Sequence, residues 1–212
     1  MNVHPEVMSE PQRAVLQRLG PLVPAKKFYL GGGTAVALHL GHRRSADLDW
    51  FAGEPFGDPL RLAADLRDHG LEVAVTGTDA GTLHATIEGV QTTFLEYRYP
   101  LLEEPVELPE HGCRLAALED LACTKLSAIA GRGARRDFID LWAIFRSGMT
   151  LHRALQRYTE KYGVADVAHL LRSLVYFDDA ATEAMPVMLW VVSWDEIRQA
   201  FEDWVKEAVR QT

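Results

Sequence analysis

A glycine-rich turn followed by two closely spaced acids is the part of the sequence most able to do chemistry. Asp47 and Asp49 stand at i and i+2 in an alternating segment, Ala46 to Ala52, so both carboxylates are expected on one face of a strand. Their apolar neighbours make isolated charges costly to bury. Mg²⁺ is usually held by one or two carboxylates together with substrate phosphates. The pair therefore predicts a Mg²⁺ site, with Mn²⁺ as the alternative ion.

The turn before the acids supplies a place for phosphate. Glycine lets a backbone approach a ligand closely, and a helix N-terminus offers N–H groups to an anion, so Gly32 and Gly33 are predicted to bind phosphate. Thr34 is expected to open a helix through Leu40, where it would cap the helix or contact phosphate. A glycine triplet or a D-x-D motif alone is more often structural. Their conjunction in one strand–helix–strand unit favours nucleotide binding beside a metal.

The periodicity of the remaining sequence predicts the elements that position this unit. In the first half, helices are expected at 9–20 and 58–69. Strands are expected at Lys27 to Leu30 and at 71–75, 83–88 and 90–97. The second half is predicted to be helical, at 117–130, 134–147, 151–161, 164–183 and 194–210. The proline-rich stretch 100–112 marks the boundary. The expected domains are 1–108, an α/β core, and 109–212, a helical domain.

Composition narrows the class of protein. Of 212 residues, 48% are hydrophobic and 25% charged, as in ordinary globular proteins, and the two cysteines form no C-x-x-C pair. The first ten residues do not resemble a signal peptide, and the apolar run 185–194 is too short to span a bilayer. The formal net charge of −8 argues against a broad DNA-binding surface. The expected location is the cytoplasm, without membrane association.

The segment FYLGGGTAVALHLGHRRSADLDWF, residues 28–51, resembles the signature of the polymerase-β nucleotidyltransferase superfamily, and in detail the AbiEii toxin family of type IV toxin–antitoxin and abortive-infection systems. The segments VQTTFLEYRYPLL and MPVMLWVVSWDEI are also similar to that family, so the resemblance covers nearly the whole chain. It implies an α+β fold, in which a polymerase-β-like core of mixed sheet and flanking helices precedes a C-terminal helical bundle.

A second block, LEDLACTKLSAIAGRGARRDFIDLWAI at 118–144, resembles the K…R…RDxxDL segment of that family. A lysine on such a helix is more often an edge residue, but the resemblance implies that Lys125 neutralises the β- and γ-phosphates. Asp137 would orient that lysine or contact the nucleotide, rather than only cap its helix. Asp140 shares its helix face, and Asp140 and Arg136 are further candidates for nucleotide binding. Lys125 and Asp137 would contribute to the active-site cleft from the helical domain.

One position departs from the superfamily pattern. A third carboxylate usually completes the two-metal site from a later strand. Here the candidate strand reads VQTTFLEY, residues 90–97. Thr93, Glu96 or neither could stand beside the acid pair, and the sequence leaves the three alternatives open.

The resemblance implies an enzyme that transfers a nucleoside monophosphate from an NTP to an acceptor hydroxyl on RNA, notably tRNA, or on a protein. Asp47, Asp49, Lys125 and Asp137 would be its catalytic residues. The family further implies a toxin countered by a cognate antitoxin protein. Two alternatives remain: a catalytically weak binding module on the same fold, and an enzyme that transfers phosphate or modifies a small-molecule hydroxyl. The sequence does not identify the acceptor, the preferred nucleotide or the oligomeric state.

Overall fold

The computed structural model describes residues 3–23 and 28–210, so Lys27 of the first predicted strand lies outside the described residues. Two compact units are present. The α/β unit comprises Pro5–Ala35 and Ser45–Ala117, and the helical unit comprises Met1–His4, Val36–Arg44 and Leu118–Thr212. This division differs from the expected one at three places: the N-terminal segment to His4 and residues 36–44 belong to the helical unit, and the α/β unit continues past residue 108 to Ala117.

The α/β unit is built on a mixed sheet. Within the described residues the sheet has seven strands in the order β3-β4-β5-β2-β1-β7-β6. The strands are β1 (Phe28–Leu30), β2 (Leu48–Ala52), β3 (Val73–Asp79), β4 (Thr82–Ile87), β5 (Val90–Glu96), β6 (Val106–Leu108) and β7 (Cys113–Leu115). β2 runs antiparallel to β1 and parallel to β5, while β1 runs parallel to β7. The predicted α+β class is therefore confirmed.

Alternation of buried and partly exposed side chains gives the sheet two different faces. In β2 the burial alternates along Leu48–Ala52, so that Trp50 is fully buried while Asp49 and Phe51 are partly exposed. On the buried face, Trp50 stacks on Phe94 with ring centroids 6.4 Å apart. This alternation is the period of two expected of a strand with one covered face. It leaves Asp49 on the accessible face.

Local signals explain the helices of this unit. Helix α1 (Glu10–Leu19) begins after Ser9, which forms a reciprocal capping box with Gln12. Helix α3 (Pro59–Asp68) begins after Asp58, whose carboxylate accepts a hydrogen bond from the Leu60 N–H, and it packs on β3 and β4. The link between β4 and β5 is a tight turn with positive φ at Glu88 and Gly89.

The stretch expected to be a boundary is part of the sheet. β6 and β7 form an antiparallel hairpin around a 3₁₀ turn at Pro109–His111, and Leu115 of β7 pairs with Leu30 of β1. Neither strand was expected from the sequence, because each has only three residues and the stretch 100–112 is rich in prolines and carboxylates. β7 is held by pairing with β1, which is distant in sequence, and β6 pairs with β7 at the edge of the sheet.

The helical unit follows the predicted periodicity with one exception. Its main helices are α4 (Leu118–Arg132), α5 (Arg135–Arg146), α6 (Leu151–Tyr162) and α9 (Trp194–Arg210). The single helix predicted at 164–183 is wrong: two short helices, α7 (Ala168–Ser173) and α8 (Asp178–Ala181), occupy that stretch. Phe138, Phe145 and Phe201 form an aromatic core between α5 and α9. Among the described helices, all are too short or too polar to cross a bilayer.

Candidate active site

The predicted glycine turn and acid pair are brought together at the start of β2. Helix α2 (Gly32–Leu40) begins directly after β1, and the Gly31 N–H donates to the Asp49 carbonyl over 2.8 Å. Gly32 has φ +62°, and a Cβ added there would lie 2.1 Å from Asp49 Oδ2. Because no side chain could occupy that space, the turn approaches the Asp49 carboxylate as only glycine permits. Gly32 and Asp49 are therefore direct neighbours.

Thr34 has a different place from the predicted one. Helix α2 begins at Gly32, so Thr34 lies inside the first turn rather than at the cap, and it is 1% exposed. Its hydroxyl donates to the Asp47 carbonyl and lies 2.8 Å from Ser45 Oγ. A hydroxyl has one hydrogen and a carbonyl only accepts, so Ser45 donates to Thr34. Thr34 thus fixes the loop that carries Asp47. The first-turn glycines, Gly32 and Gly33, retain the position predicted for phosphate binding.

Asp47 lies one residue before the strand. β2 begins at Leu48, so the prediction that both acids belong to one strand is wrong for Asp47. The pleat of the strand does not reach it, and the bond from Thr34 to its backbone holds the loop instead. Asp47 and Asp49 are both partly exposed.

The sheet register decides which residue stands beside Asp49. On the adjacent parallel strand, Thr93 pairs with Asp49, whereas Glu96 pairs with Ala52. Ala52 is three residues from Asp49 and so lies on the opposite face. The Glu96 carboxylate accepts hydrogen bonds from the Phe56 N–H and from Arg98. Of the alternatives left open by the sequence, a hydroxyl rather than a carboxylate occupies this position.

The residues fit a metal that shares its ligands with a substrate. Among the described residues, no group of three or more His, Cys, Asp or Glu side chains could hold an ion by itself. The Asp49 carboxylate lies beside a cradle at Gly32 that a Cβ would fill, and Asp47 lies two residues before it in the chain. Mg²⁺ commonly takes one or two carboxylates and completes its shell with water and phosphate oxygens. This donor set suits such an ion and is too small for a closed protein site.

In the helical unit, Lys125 joins the two predicted aspartates of α5. Its ammonium lies 2.8 Å from Asp137 Oδ1 and 2.7 Å from Asp140 Oδ2, and all three side chains are buried. Arg132, at the end of α4, also donates to both oxygens of Asp137. The i, i+3 spacing that placed the acids on one helix face is what lets a single lysine bridge them.

Two residues missed by the sequence analysis complete this network. Arg43 donates to both oxygens of Asp140, through Nε at 2.6 Å and a second nitrogen at 2.9 Å, and His42 Nε2 lies 2.8 Å from Oδ1. Both residues follow α2. A bidentate guanidinium–carboxylate pair is among the stronger charge-assisted contacts. No local pattern signals it, because Arg43 and Asp140 are far apart in sequence.

The charges of this network are stable because the ions compensate one another. Burial alone would raise the pKa of Asp140, but Arg43 and Lys125 hold it well below its usual value. Lys125 in turn has a raised pKa, since Asp140 and Asp137 outweigh the effect of burial. Burial lowers the pKa of His42 despite its bond to Asp140, and its Nδ1 has no hydrogen-bond partner within the described part of the chain. His42 is therefore the neutral member.

The remaining candidate, Arg136, is exposed to solvent. Arg136 lies exposed on α5, while its neighbour Arg135 is buried, donates to the carbonyls of Ala180 and Ala181, and lies over the Trp194 ring. Arg135 is thus structural. Each unit accordingly contains part of the predicted site: the α/β unit has the glycine turn and acid pair, and the helical unit has Lys125, Arg136 and the α5 aspartates.

Comparisons with known proteins identify the family of the chain. Residues 92–211 match the family model described as nucleotidyl transferase AbiEii toxin, type IV toxin–antitoxin system. An uncharacterized protein of Aquifex aeolicus (strain VF5) is 36% identical over 203 residues, covering 94% of this chain and 97% of its own length. Among solved structures, MenT4, a nucleotidyltransferase toxin of Mycobacterium tuberculosis H37Rv, aligns with a TM-score of 0.62 at 17% identity over 92% of this chain and 81% of its own.

JHP933 of Helicobacter pylori aligns with a TM-score of 0.56 at 15% identity, covering 98% of this chain and 91% of its own. At such identities the structural matches establish a shared fold. The family model covers more than half of the chain, and the expected family is confirmed. The chain belongs to the AbiEii family of nucleotidyltransferase toxins, and it is an enzyme of the nucleotidyltransferase class.

Proposed function

We propose that this enzyme transfers a nucleoside monophosphate from an NTP to an acceptor hydroxyl on RNA, notably tRNA, or on a protein, and that it releases pyrophosphate. The reaction depends on Mg²⁺, with Mn²⁺ as a substitute, bound by Asp47 and Asp49. The ion, when bound, screens the charge of the triphosphate and stabilises the charge that develops at the reacting phosphate. The protein contributes alignment and electrostatic stabilisation, which dominate phosphoryl-transfer catalysis.

The direct contact between Gly32 and Asp49 is the observation that carries this proposal. A helix N-terminus attracts anions through its unpaired N–H groups. The Asp49 carboxylate lies against the first residue of α2, where it would otherwise repel a bound phosphate. A divalent cation between the two negative groups removes that conflict. The arrangement therefore favours a metal–triphosphate complex over either ligand alone.

We assign Lys125 as the phosphate-binding cation of the helical unit and Asp137 as the residue that orients it. An ammonium has three N–H donors, and Asp137 and Asp140 take two of them. One donor is left for a phosphate oxygen. Arg136, exposed one residue before Asp137, is a second cation for the nucleotide or for the backbone of an RNA acceptor.

The test measures pyrophosphate release and labelled product from each α-labelled NTP, with total RNA or protein as acceptor. Asp49→Asn keeps the shape of the side chain and removes its charge, so we expect transfer to fall to background. Asp68→Asn, at an exposed position of the same unit, is the matched control and should retain full activity. Equal transfer by the two variants would refute the assigned role of Asp49.

The same experiment separates the alternatives. The mass of the product distinguishes a nucleotide adduct from a phosphate adduct. If Mg²⁺ and NTPs raise the thermal unfolding temperature of neither the wild type nor the control, the chain is a binding module and the proposal fails. The family also supports a cognate antitoxin as partner. Growth arrest on expression of the wild type but not of Asp49→Asn, relieved by the protein encoded next to it, would test that part.

A further inference from the structure

The proposed transfer, on which this inference rests, requires the acceptor hydroxyl to lose a proton. The position beside Asp49 on β5 is occupied by the hydroxyl of Thr93. A threonine hydroxyl does not by itself retain a proton taken from an attacking alcohol. A proton acceptor within reach of Thr93 would allow this hydroxyl to pass the proton on.

Such a group lies one strand further along the sheet. Thr93 pairs with Asp49 on one side and with His84 on the other, and His84 pairs with Gly77 of β3. In-register neighbours project from the same face, so Asp49, Thr93 and His84 form a row across three strands. With strands about 4.8 Å apart, His84 lies roughly 10 Å from Asp49 along the row. Thr93 lies between them, at the position where it can bridge that gap.

The contacts around His84 give its imidazole a direction. Nδ1 lies 3.5 Å from Thr93 Oγ1, and Nε2 lies 3.9 Å from Asp79 Oδ2. An anion beside Nε2 favours the tautomer that carries its proton there, which leaves the Nδ1 lone pair facing the Thr93 hydroxyl. Both distances are long, as catalytic hydrogen bonds often are before substrate binds. The order carboxylate, imidazole, hydroxyl is the general arrangement that activates a hydroxyl for proton transfer.

The row is accessible to an acceptor. The side chain of His84 is 46% exposed and that of Asp79 is 82% exposed. Gly77, opposite His84, has no side chain, and a Cβ there would come within 3.8 Å of the imidazole. Of the described contacts of the imidazole, the one from β3 is with the charged Asp79 and the one from β5 is with the uncharged Thr93.

We propose that Asp79, His84 and Thr93 form a proton relay that takes the place of a third carboxylate. As the acceptor oxygen forms its bond to the α-phosphorus, its proton passes to Thr93 Oγ1, and the Thr93 proton passes to His84 Nδ1. The bond from the α-phosphorus to the bridging oxygen breaks, and pyrophosphate leaves with that electron pair. The imidazolium later returns its proton to solvent. Thr93 touches the acceptor, and His84 acts through Thr93.

The decisive comparison uses His84→Gln and Thr93→Val against variants that the relay does not involve. We expect kcat to fall by roughly 10²-fold or more in each, with little change in the KM for NTP, because neither residue is assigned to nucleotide binding. Thr93→Ser restores the hydroxyl and should restore activity. Thr92→Val, on the buried opposite face, and His69→Gln, at an exposed position of the same unit, should retain wild-type kcat.

A pH–rate profile distinguishes a relay from a structural role. The wild-type pH–rate profile should have a limb on the acid side that is absent from the residual activity of His84→Gln. If His84→Gln has the kcat and the acid limb of the wild type, the relay is overturned while the proposed transfer stands. If the wild type itself transfers nothing and Asp49→Asn is no different, the proposed function fails first.

Discussion

Replacing Gly32 by alanine tests whether the position of Asp49 controls the chemistry. The new Cβ would lie 2.1 Å from Asp49 Oδ2, and ordinary contact begins at 3.4 Å, so the carboxylate must retreat by about 1.3 Å. A misplacement of about 1 Å at a reacting centre can cost on the order of 10²-fold in rate. We therefore expect kcat/KM to fall by roughly 10²-fold, equivalent to about 2.7 kcal/mol of transition-state stabilisation.

The substitution also strains the backbone, and this effect needs a control. Gly32 has φ +62°, a left-handed conformation that costs an alanine about 1–2 kcal/mol. Gly163 has nearly the same φ, +64°, with nothing within 4 Å of an added Cβ. Gly163→Ala should therefore lower the free energy of unfolding by a similar amount and leave activity intact.

The assay pairs steady-state transfer from labelled NTP with urea unfolding for both variants. Subtracting the effect of Gly163→Ala removes the strain that the two alanines share. If Gly32→Ala keeps the kcat/KM of the control at a temperature where both are folded, the close approach of turn and carboxylate has no catalytic role.

Three further predictions concern the residues that hold the site. Lys125→Met and its matched control Lys161→Met, whose lysine pairs with a buried aspartate at 2.6 Å, should each lower the free energy of unfolding by about 3–5 kcal/mol. Only Lys125→Met should weaken NTP binding in isothermal titration, and equal affinities would remove Lys125 from phosphate binding. Thr34→Val should lower the free energy of unfolding by about 1–3 kcal/mol and reduce kcat, because the loop before β2 loses its hydrogen-bond donor. Thr34→Ser should restore both stability and kcat. A fully active valine variant would contradict this role of Thr34. Since burial lowers the pKa of folded His42, the unfolded chain protonates first, and stability should decline as pH falls below about 6.5. His42→Gln keeps a donor for Asp140 and should reduce that decline by up to about 1.4 kcal/mol per pH unit, so an unchanged slope in unfolding measurements would exclude His42 as its source.

The parts of the site that depend on local pattern could be predicted from the sequence. The positive φ of Gly32 and the exposure of Asp49 follow from a glycine turn and an alternating strand. The shared face of Asp137 and Asp140 follows from helical spacing. In each case the interacting residues are only a few positions apart in the chain, so the local sequence is enough to predict the feature.

The parts that depend on distant pairing could not. Arg43 and His42 look like an ordinary basic turn until Asp140 is placed beside them. The identity of the residue beside Asp49 depends on the register between β2 and β5. A slip of one residue would place a side chain from the opposite face of β5 there. The role of Thr34 also could not be predicted. A helix cap could have been predicted from the local sequence, but the Thr34 hydroxyl instead donates to the Asp47 carbonyl in a loop without a periodic pattern.

The assignment of residues 36–44 to the helical unit has a consequence for synthesis of the chain. The ribosome completes every strand of the sheet once Ala117 has been made, yet Arg43 and His42 must wait for Asp140. Until then Arg43 lacks its Asp140 partner, and burying a charge whose partner is missing is strongly unfavourable. A nascent or prematurely terminated chain should therefore hold this segment open in water. The segment would reach its final arrangement only after Asp140 has been made.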